Sequence, residues 1–185
     1  GEVAFFHRFR VRRLWSPRLN LRNHRKVVVI DGSIGFTGGI NISDTENEAL
    51  RPDAFHDLHL RMDGEVVRWL QLAFAEDWAY ASGHAPTGAS LWPTLAAGPI
   101  RTQVLPAGPD SAWEPIHRVM LAALYRGQQR IWLATPYFVP GEAARMALTS
   151  AALRGLDVRL LVPARTDSRL VSAAARSYFD ELIAA

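Results

Sequence analysis

The residues from Asn23 to Asn41 carry side chains that together could attack and hold a phosphate ester. His24 and Lys26 stand two positions apart, and Asp31 and Asn41 follow within the same short stretch. An imidazole is partly neutral, and therefore nucleophilic, near neutral pH. The Lys26 ammonium supplies positive charge for an anionic phosphate, and the Asn41 amide can donate hydrogen bonds to its oxygens. These types and spacings indicate chemistry on a phosphodiester.

A strand and a tight turn are predicted to position this stretch. Residues 27–30 form an apolar, mostly β-branched run, and the Asp-Gly-Ser sequence at 31–33 is typical of a turn. Side chains alternate along a strand, so His24 and Lys26 are expected on one face, where both can meet one ligand.

Three neighbouring residues are candidate substrate contacts. Gly38 and Gly39 have no side chain and allow the backbone to approach a ligand closely. Arg25 directly follows His24 and is the last of the arginines crowded into the first 25 residues. Lys26 is the only lysine among 21 basic residues, which indicates that a compact ammonium, rather than a planar guanidinium, is needed at this position.

The segment 55–62 is predicted to be a second strand near the site. Its apolar residues alternate with polar ones, and Leu58, Leu60 and Met62 are expected on a core face. Asp57, His59 and Arg61 share the opposite face. Asp57 is either a site carboxylate or an exposed strand residue, and His59 is either a substrate contact or a structural histidine.

Composition limits the function classes. A hydrophobic content of 49% allows a substantial core in one domain or parts of two, and the net charge is +3. The absence of cysteine excludes disulfides and cysteine-based metal sites. The chain has no apolar run long enough to span a membrane and no signal peptide, so we expect any membrane anchor to lie outside it. The arginines of the first 25 residues could contact anionic lipid or nucleic acid, or be solvated surface.

Beyond a connector, the periodicity predicts alternating strands and helices. A Gly- and Pro-rich stretch at 82–99 is expected to link a part at 1–81 to a part at 100–185. Helices separated by strands of this kind imply βαβ units with a parallel sheet, whose ligand loops follow the strands. The predicted strands are 2–6, 100–105, 130–134 and 157–162; the predicted helices are 64–81, 111–126, 142–154 and one from 168; the predicted ligand loops are 106–110, 135–140 and 163–168.

The motif resembles the signature of the phospholipase D superfamily. Its order is His-x-Lys, four residues, Asp, six residues, Gly-Gly-x-Asn. LRNHRKVVVIDGSIGFTGGINI and HDLHLRM look like the end of the first half of bacterial cardiolipin synthases, and TPYFVP, AARMALTSAALRGLDVRLLVP and RSYFDEL look like the start of the second half. The resemblance covers nearly the whole chain. It implies an α/β fold with a mixed or parallel sheet flanked by helices, and two pseudo-repeated halves that are both incomplete here, with the motif in 1–81 and none in 100–185.

The resemblance also implies roles for the residues. His24 would attack the phosphorus of phosphatidylglycerol and form a phosphohistidine, and Lys26 and Asn41 would hold the non-bridging oxygens. Asp57 stands at the place of the carboxylate that orients the nucleophile, and Asp31 would support the motif through hydrogen bonds. The leaving alkoxide needs a second acid, which the family takes from the histidine of a second motif. No second His-x-Lys occurs here, so we expect the chain to lack full activity alone.

Partners and two alternatives complete the prediction. The resemblance implies an anionic phospholipid substrate, a second half that carries its own motif, and a location at the cytoplasmic side of a bacterial membrane, peripheral or anchored through other segments. No metal or cofactor is implied. One alternative keeps the chemistry but uses water as acceptor, as in a phospholipase or nuclease. The other is a non-catalytic module that binds anionic lipid or, less favoured, nucleic acid.

Overall fold

The computed structural model describes residues 1–6, 23–108, 111–164 and 168–185. It divides into two compact units, Gly1–Pro109 and Asp110–Ala185. Most of the arginine-rich run lies outside the described residues, so its predicted contact with anionic ligands stays a prediction. The mixed α/β class predicted from the sequence is confirmed, whereas the assignment of 1–81, 82–99 and 100–185 to two related halves and a linker stays a prediction.

The first unit contains a three-stranded antiparallel sheet of β1 (Val27–Ile30), β2 (Ile34–Gly38) and β3 (His59–Asp63), in that order. The predicted turn between β1 and β2 is confirmed. Asp31 and Gly32 have φ values of 52° and 64°, and the Ser33 N–H donates to the Ile30 carbonyl at 3.0 Å. Positive φ at both central positions is what a hairpin turn of the primed type requires, and an Asp-Gly pair adopts it readily.

Helix α1 (Val67–Ser82) packs on one face of this sheet. Val67 and Leu70 are buried and lie over Gly35 in β2, and Gly83 ends the helix with a φ of 86°. The predicted core face of β3 is wrong, because Leu58 is 80% exposed and Leu60 is 58% exposed. Leu58 precedes the strand, which begins only at His59.

The second unit is built on a parallel pair of strands, which confirms the predicted βαβ arrangement. Its core cluster consists of Ile131, Phe138, Leu148, Ala151 and Ala175. The elements in chain order are α2 (Pro115–Arg126), β4 (Arg130–Ala134), α3 (Glu142–Leu153), β5 (Asp157–Leu161), α4 (Arg169–Arg176) and α5 (Phe179–Ala184).

Two predicted strands are absent from the described residues. Residues 2–6 and 100–105 have no strand, because no neighbouring strand pairs with them among the described residues. Helix α2 begins at Pro115 rather than at residue 111, since proline fits the first turn of a helix and the residue before it is kept out of helical geometry. Residues 109–110 and 165–167 are not described, so the ligand loops at 106–110 and 163–168 stay predictions, as does the loop at 135–140.

No helix among the described residues is long and apolar enough to cross a bilayer.

Candidate active site

The strand register gathers most of the motif at one end of the first sheet. Val27 at the start of β1 pairs with Thr37, and Gly38 at the end of β2 pairs with His59 at the start of β3. Residues just before β1, just after β2 and just before β3 therefore lie at the same end. Lys26 and Asp57 belong to this group.

The glycine pair makes the close approach of β3 possible. A Cβ on Gly38 would collide with the Leu58 carbonyl and stand 2.6 Å from the Cα of His59. A Cβ on Gly39 would collide with the Asp57 carboxylate, while the Gly39 N–H donates to the Leu58 carbonyl at 2.9 Å. The residues that lead into β3 therefore occupy the space that the missing side chains of Gly38 and Gly39 leave. The predicted contact of the two glycines with substrate stays a prediction.

The Asp57 carboxylate is held by the backbone of the next residue. Its Oδ1 accepts a hydrogen bond from the Leu58 N–H at 2.6 Å, and both of its oxygens face Gly39. Among the described residues no hydrogen bond joins it to the His24 imidazole. The role of Asp57 in orienting His24 stays a prediction.

His59 has a ring nitrogen without a partner. Its Nδ1 is shielded from solvent beside Gly38 and makes no hydrogen bond to the described residues. Leaving such an atom unpaired costs about 1–3 kcal/mol, and buried polar groups are almost always paired. His59 is therefore a residue whose hydrogen bonding is incomplete at the end of the sheet where the motif gathers.

His24 and Lys26 precede β1 rather than lie in it. β1 begins at Val27, as predicted, and the expected position of both side chains on one face stays a prediction. His24 is exposed, and its imidazole makes no hydrogen bond within the described residues. The Lys26 Nζ donates to the His24 carbonyl at 3.1 Å, which draws the ammonium toward the backbone of the candidate nucleophile.

Arg25 is engaged with protein groups. Its Nη1 donates to the Asp77 Oδ1 at 2.6 Å, and its Nη2 donates to the Ala107 carbonyl at 3.1 Å. The Asn23 side chain donates to the other oxygen of Asp77 at 2.7 Å. A contact between Arg25 and substrate, which stays a prediction, would have to replace or share these bonds.

Asn41 donates hydrogen bonds to a carboxylate of the same chain. Its backbone N–H donates to Glu46 Oε2 and its Nδ2 donates to Glu46 Oε1, both at 2.5 Å. Glu46 ends a short 3₁₀ turn, Asp44–Glu46. Two N–H donors on one carboxylate form the kind of forked contact that also suits two oxygens of a phosphate.

Asp31 lies at the opposite end of the hairpin. It is exposed in the turn after β1, and it makes no hydrogen bond to the described residues. The support of the motif by Asp31 through hydrogen bonds stays a prediction.

Comparison with known proteins relates the chain to cardiolipin synthases. The family described as "Cardiolipin synthase, PLD-like domain" matches residues 120–185. The cardiolipin synthase of Geobacillus sp. strain WCH70 is 47% identical over 177 residues, which is 92% of this chain and 35% of the relative. Cardiolipin synthase 2 of Bacillus anthracis is 43% identical over 175 residues, 91% of this chain and 34% of the relative. The chain is similar to these enzymes over nearly its whole length and carries part of a phospholipase D-like domain.

Other matches agree with this assignment. Cardiolipin synthase A of Pseudomonas fluorescens strain Pf-5 is 41% identical over 182 residues, 97% of this chain and 38% of the relative. No solved structure matches the chain. This phospholipase D-like chain spans about a third of the length of the curated relatives it matches.

Sequence reasoning missed two groups at this phospholipase D-like site. The sequence pattern singles out neither Glu46 nor Asp77, which stands among other polar residues of α1. The acid three residues after a polar Ser43 is a capping pattern that could have drawn attention to the turn. Nothing in the sequence around Asp77 indicates its partners, which are 52 and 54 residues away.

Proposed function

We propose that this chain supplies the histidine nucleophile and phosphate ligands of a phosphatidyltransferase of the cardiolipin synthase type. The observation that carries this proposal is the forked contact of Asn41 with the Glu46 carboxylate. It supports the view that this position binds an anion. The similarity to cardiolipin synthases supports phosphatidylglycerol as the substrate.

In the first step a nitrogen of His24 attacks the phosphorus of phosphatidylglycerol. The new P–N bond forms as the bond from phosphorus to the glycerol oxygen breaks, and the leaving oxygen takes a proton from an acid outside this chain. In the second step a hydroxyl of another phosphatidylglycerol attacks the phosphohistidine and loses its proton to the same group. The products are cardiolipin and glycerol, and His24 is regenerated.

The protein groups stabilise charge at the phosphorus in both steps. Lys26, whose ammonium donates to the His24 carbonyl in the structure, turns to a phosphate oxygen beside His24 when the substrate is bound. Asn41 donates two N–H groups once Glu46 leaves, and Asp57 holds the imidazolium form of His24 through the transfer. Donors fixed in place before the reaction are the usual source of the largest rate effect in such transfers.

Phosphohistidine trapping tests the proposal. The complete protein that contains this chain is incubated with phosphatidylglycerol labelled in the phosphatidyl phosphate, quenched in alkali, and digested for peptide mapping. We expect label on His24, none in His24→Gln, and full label in a control, His84→Gln, whose imidazole lies in the connector. Turnover of substrate without label on His24 would overturn the assignment of the nucleophile.

The same assay separates transfer from hydrolysis. Cardiolipin as the main product supports the proposed function, whereas phosphatidic acid as the main product, even with excess phosphatidylglycerol, assigns the chain to a hydrolase instead. Binding of anionic vesicles without any turnover, unchanged in His24→Gln, would indicate the non-catalytic module.

A further inference from the structure

Asp77 holds the chain on both sides of His24. It lies in the last two turns of α1, and each of its carboxylate oxygens has its own partner. Oδ2 accepts from the Asn23 side chain at 2.7 Å, and Oδ1 accepts from the Arg25 guanidinium at 2.6 Å. One carboxylate of the helix therefore binds the residue before His24 and the residue after it.

Two further bonds tighten this arrangement. The Asn23 Oδ1 accepts from the Arg25 backbone N–H at 2.9 Å, and the second Arg25 nitrogen, Nη2, donates to the Ala107 carbonyl. The side chains of Arg25 and Asp77 are 31% and 22% exposed. A partly shielded ion pair is screened less by water and salt than a fully exposed one, so this contact holds geometry better than a typical surface pair.

The segment needs such support because the sheet does not provide it. β1 begins at Val27, so no ladder hydrogen bond fixes residues 23–26. Among the described residues the His24 imidazole makes no hydrogen bond, and the Lys26 ammonium bonds only the His24 carbonyl. The position of His24 is therefore set by its two neighbours, and theirs is set by Asp77.

We propose that Asp77 is a positioning residue that places His24 for attack on phosphorus, acting through Asn23 and Arg25; this inference rests on the proposed function. An asparagine at position 77 has an oxygen at one of these two places and an NH2 group at the other, so it accepts from one partner while its N–H groups face the donor of the other. A shift of about 1 Å in a reacting group can lower a rate by about 100-fold.

The test compares variants of the complete protein in phosphatidyl transfer. We expect Asp77→Asn to lower kcat by about tenfold or more and to change KM by less than about twofold, since geometry rather than binding is altered. Glu76→Gln is the matched control, because Glu76 is the exposed neighbour on the same helix and carries the same charge. Assays run well below the unfolding temperature of each variant separate this effect from lost stability.

A second readout follows the segment directly. Amide hydrogen exchange at Arg25, whose N–H donates to Asn23 Oδ1, is expected to accelerate by about tenfold in Asp77→Asn and to stay unchanged in Glu76→Gln. The double variant Arg25→Gln with Asp77→Asn should lose less kcat than the product of the two single losses, because each single variant already removes the Arg25–Asp77 ion pair.

The outcomes distinguish the two proposals. Multiplying losses in the double variant, or equal exchange rates in Asp77→Asn and the unmodified protein, would overturn the positioning role. A protein that forms no cardiolipin in any variant contradicts the proposed function, while the exchange rates still decide whether Asp77 fixes the segment around residue 24.

Discussion

The Asp57 carboxylate lies against Gly39, in the space that a side chain at position 39 would fill. The two residues are close because Gly39 donates to the Leu58 carbonyl directly after β2 pairs with β3. The Oδ1 atom of this carboxylate also accepts a hydrogen bond from the Leu58 N–H at 2.6 Å. A glycine of the motif and the carboxylate near β3 are therefore coupled by packing, although they are far apart in sequence.

Gly39→Ala is expected to displace Asp57. The added methyl group collides with the carboxylate, and such overpacking lowers the free energy of unfolding by about 1–3 kcal/mol. Urea unfolding of the 185-residue chain measures this. Gly98→Ala is the control, because no atom lies within 4 Å of the position of its added Cβ. Equal stability of Gly39→Ala and Gly98→Ala would show that Asp57 does not occupy this space in solution.

Asp157 gives the second unit a pH dependence. Its carboxylate accepts from the Arg159 guanidinium at 2.9 Å and from the Trp132 indole at 3.0 Å, and these hydrogen bonds lower the pKa of Asp157 below its ordinary value of 3.8. Because the pKa of Asp157 is lower in the folded chain than in the unfolded chain, the ionised carboxylate stabilises the fold at a pH above the unfolded pKa. This stabilisation is lost as the pH falls through the folded pKa. Asp157→Asn should therefore be less stable than the unmodified chain at pH 7, and the difference should shrink below pH 3.8.

Urea midpoints at several pH values, followed through tryptophan fluorescence, measure this difference. Asp180→Asn is the control, since Asp180 is an exposed carboxylate in α5 of the same unit. A difference that stays constant as the pH falls would mean that Asp157 does not pair with Arg159 in solution.

Local sequence determines the parts of the fold that were predicted well. The hairpin turn follows from Asp31 and Gly32, which accept positive φ, and β4 and β5 follow from short apolar runs separated by one helix length. The strands predicted at 2–6 and 100–105 are absent because local sequence alone does not make a strand. A β-prone segment becomes a strand only when a partner pairs with it, and no described strand does.

The candidate site could be predicted only in part because its supports are distant in sequence. His24, Lys26 and Asn41 are recognisable from spacing, since their order is itself the signal. The contact of Asp77 with Asn23 spans 54 residues and depends on how α1 packs on the sheet. Periodicity defines which face of a helix is apolar, but it does not define which polar residue of that helix meets a given loop.

Glu46→Ala is expected to expose the anion site of Asn41. Removal of the carboxylate frees both N–H donors, and a partly exposed charge-assisted contact of this kind is worth about 0.5–1.5 kcal/mol. The Kd for inorganic phosphate should therefore fall by about threefold to tenfold. The shift of the Asn41 amide resonances during a phosphate titration of the 185-residue chain measures it. Glu48→Ala is the control, because Glu48 lies in the same loop and pairs with His56 instead. Equal changes in both variants would indicate a general charge effect.

His59→Phe is expected to have opposite effects on stability and activity. Phenylalanine has a similar shape and removes a shielded nitrogen that has no partner among the described residues, so the free energy of unfolding should stay equal or rise by up to about 1 kcal/mol. If His59 contacts the substrate, kcat/KM of the complete protein should fall by about tenfold, which corresponds to one lost hydrogen bond of about 1.4 kcal/mol. His56→Phe, at an exposed position three residues earlier, should change neither quantity.

A loss of stability in His59→Phe would mean that Nδ1 has a structural partner in solution, and unchanged activity would remove His59 from the substrate contacts. An increase in stability together with a loss of activity is the result that only a functional histidine produces, because a group kept for folding alone would not be left unpaired.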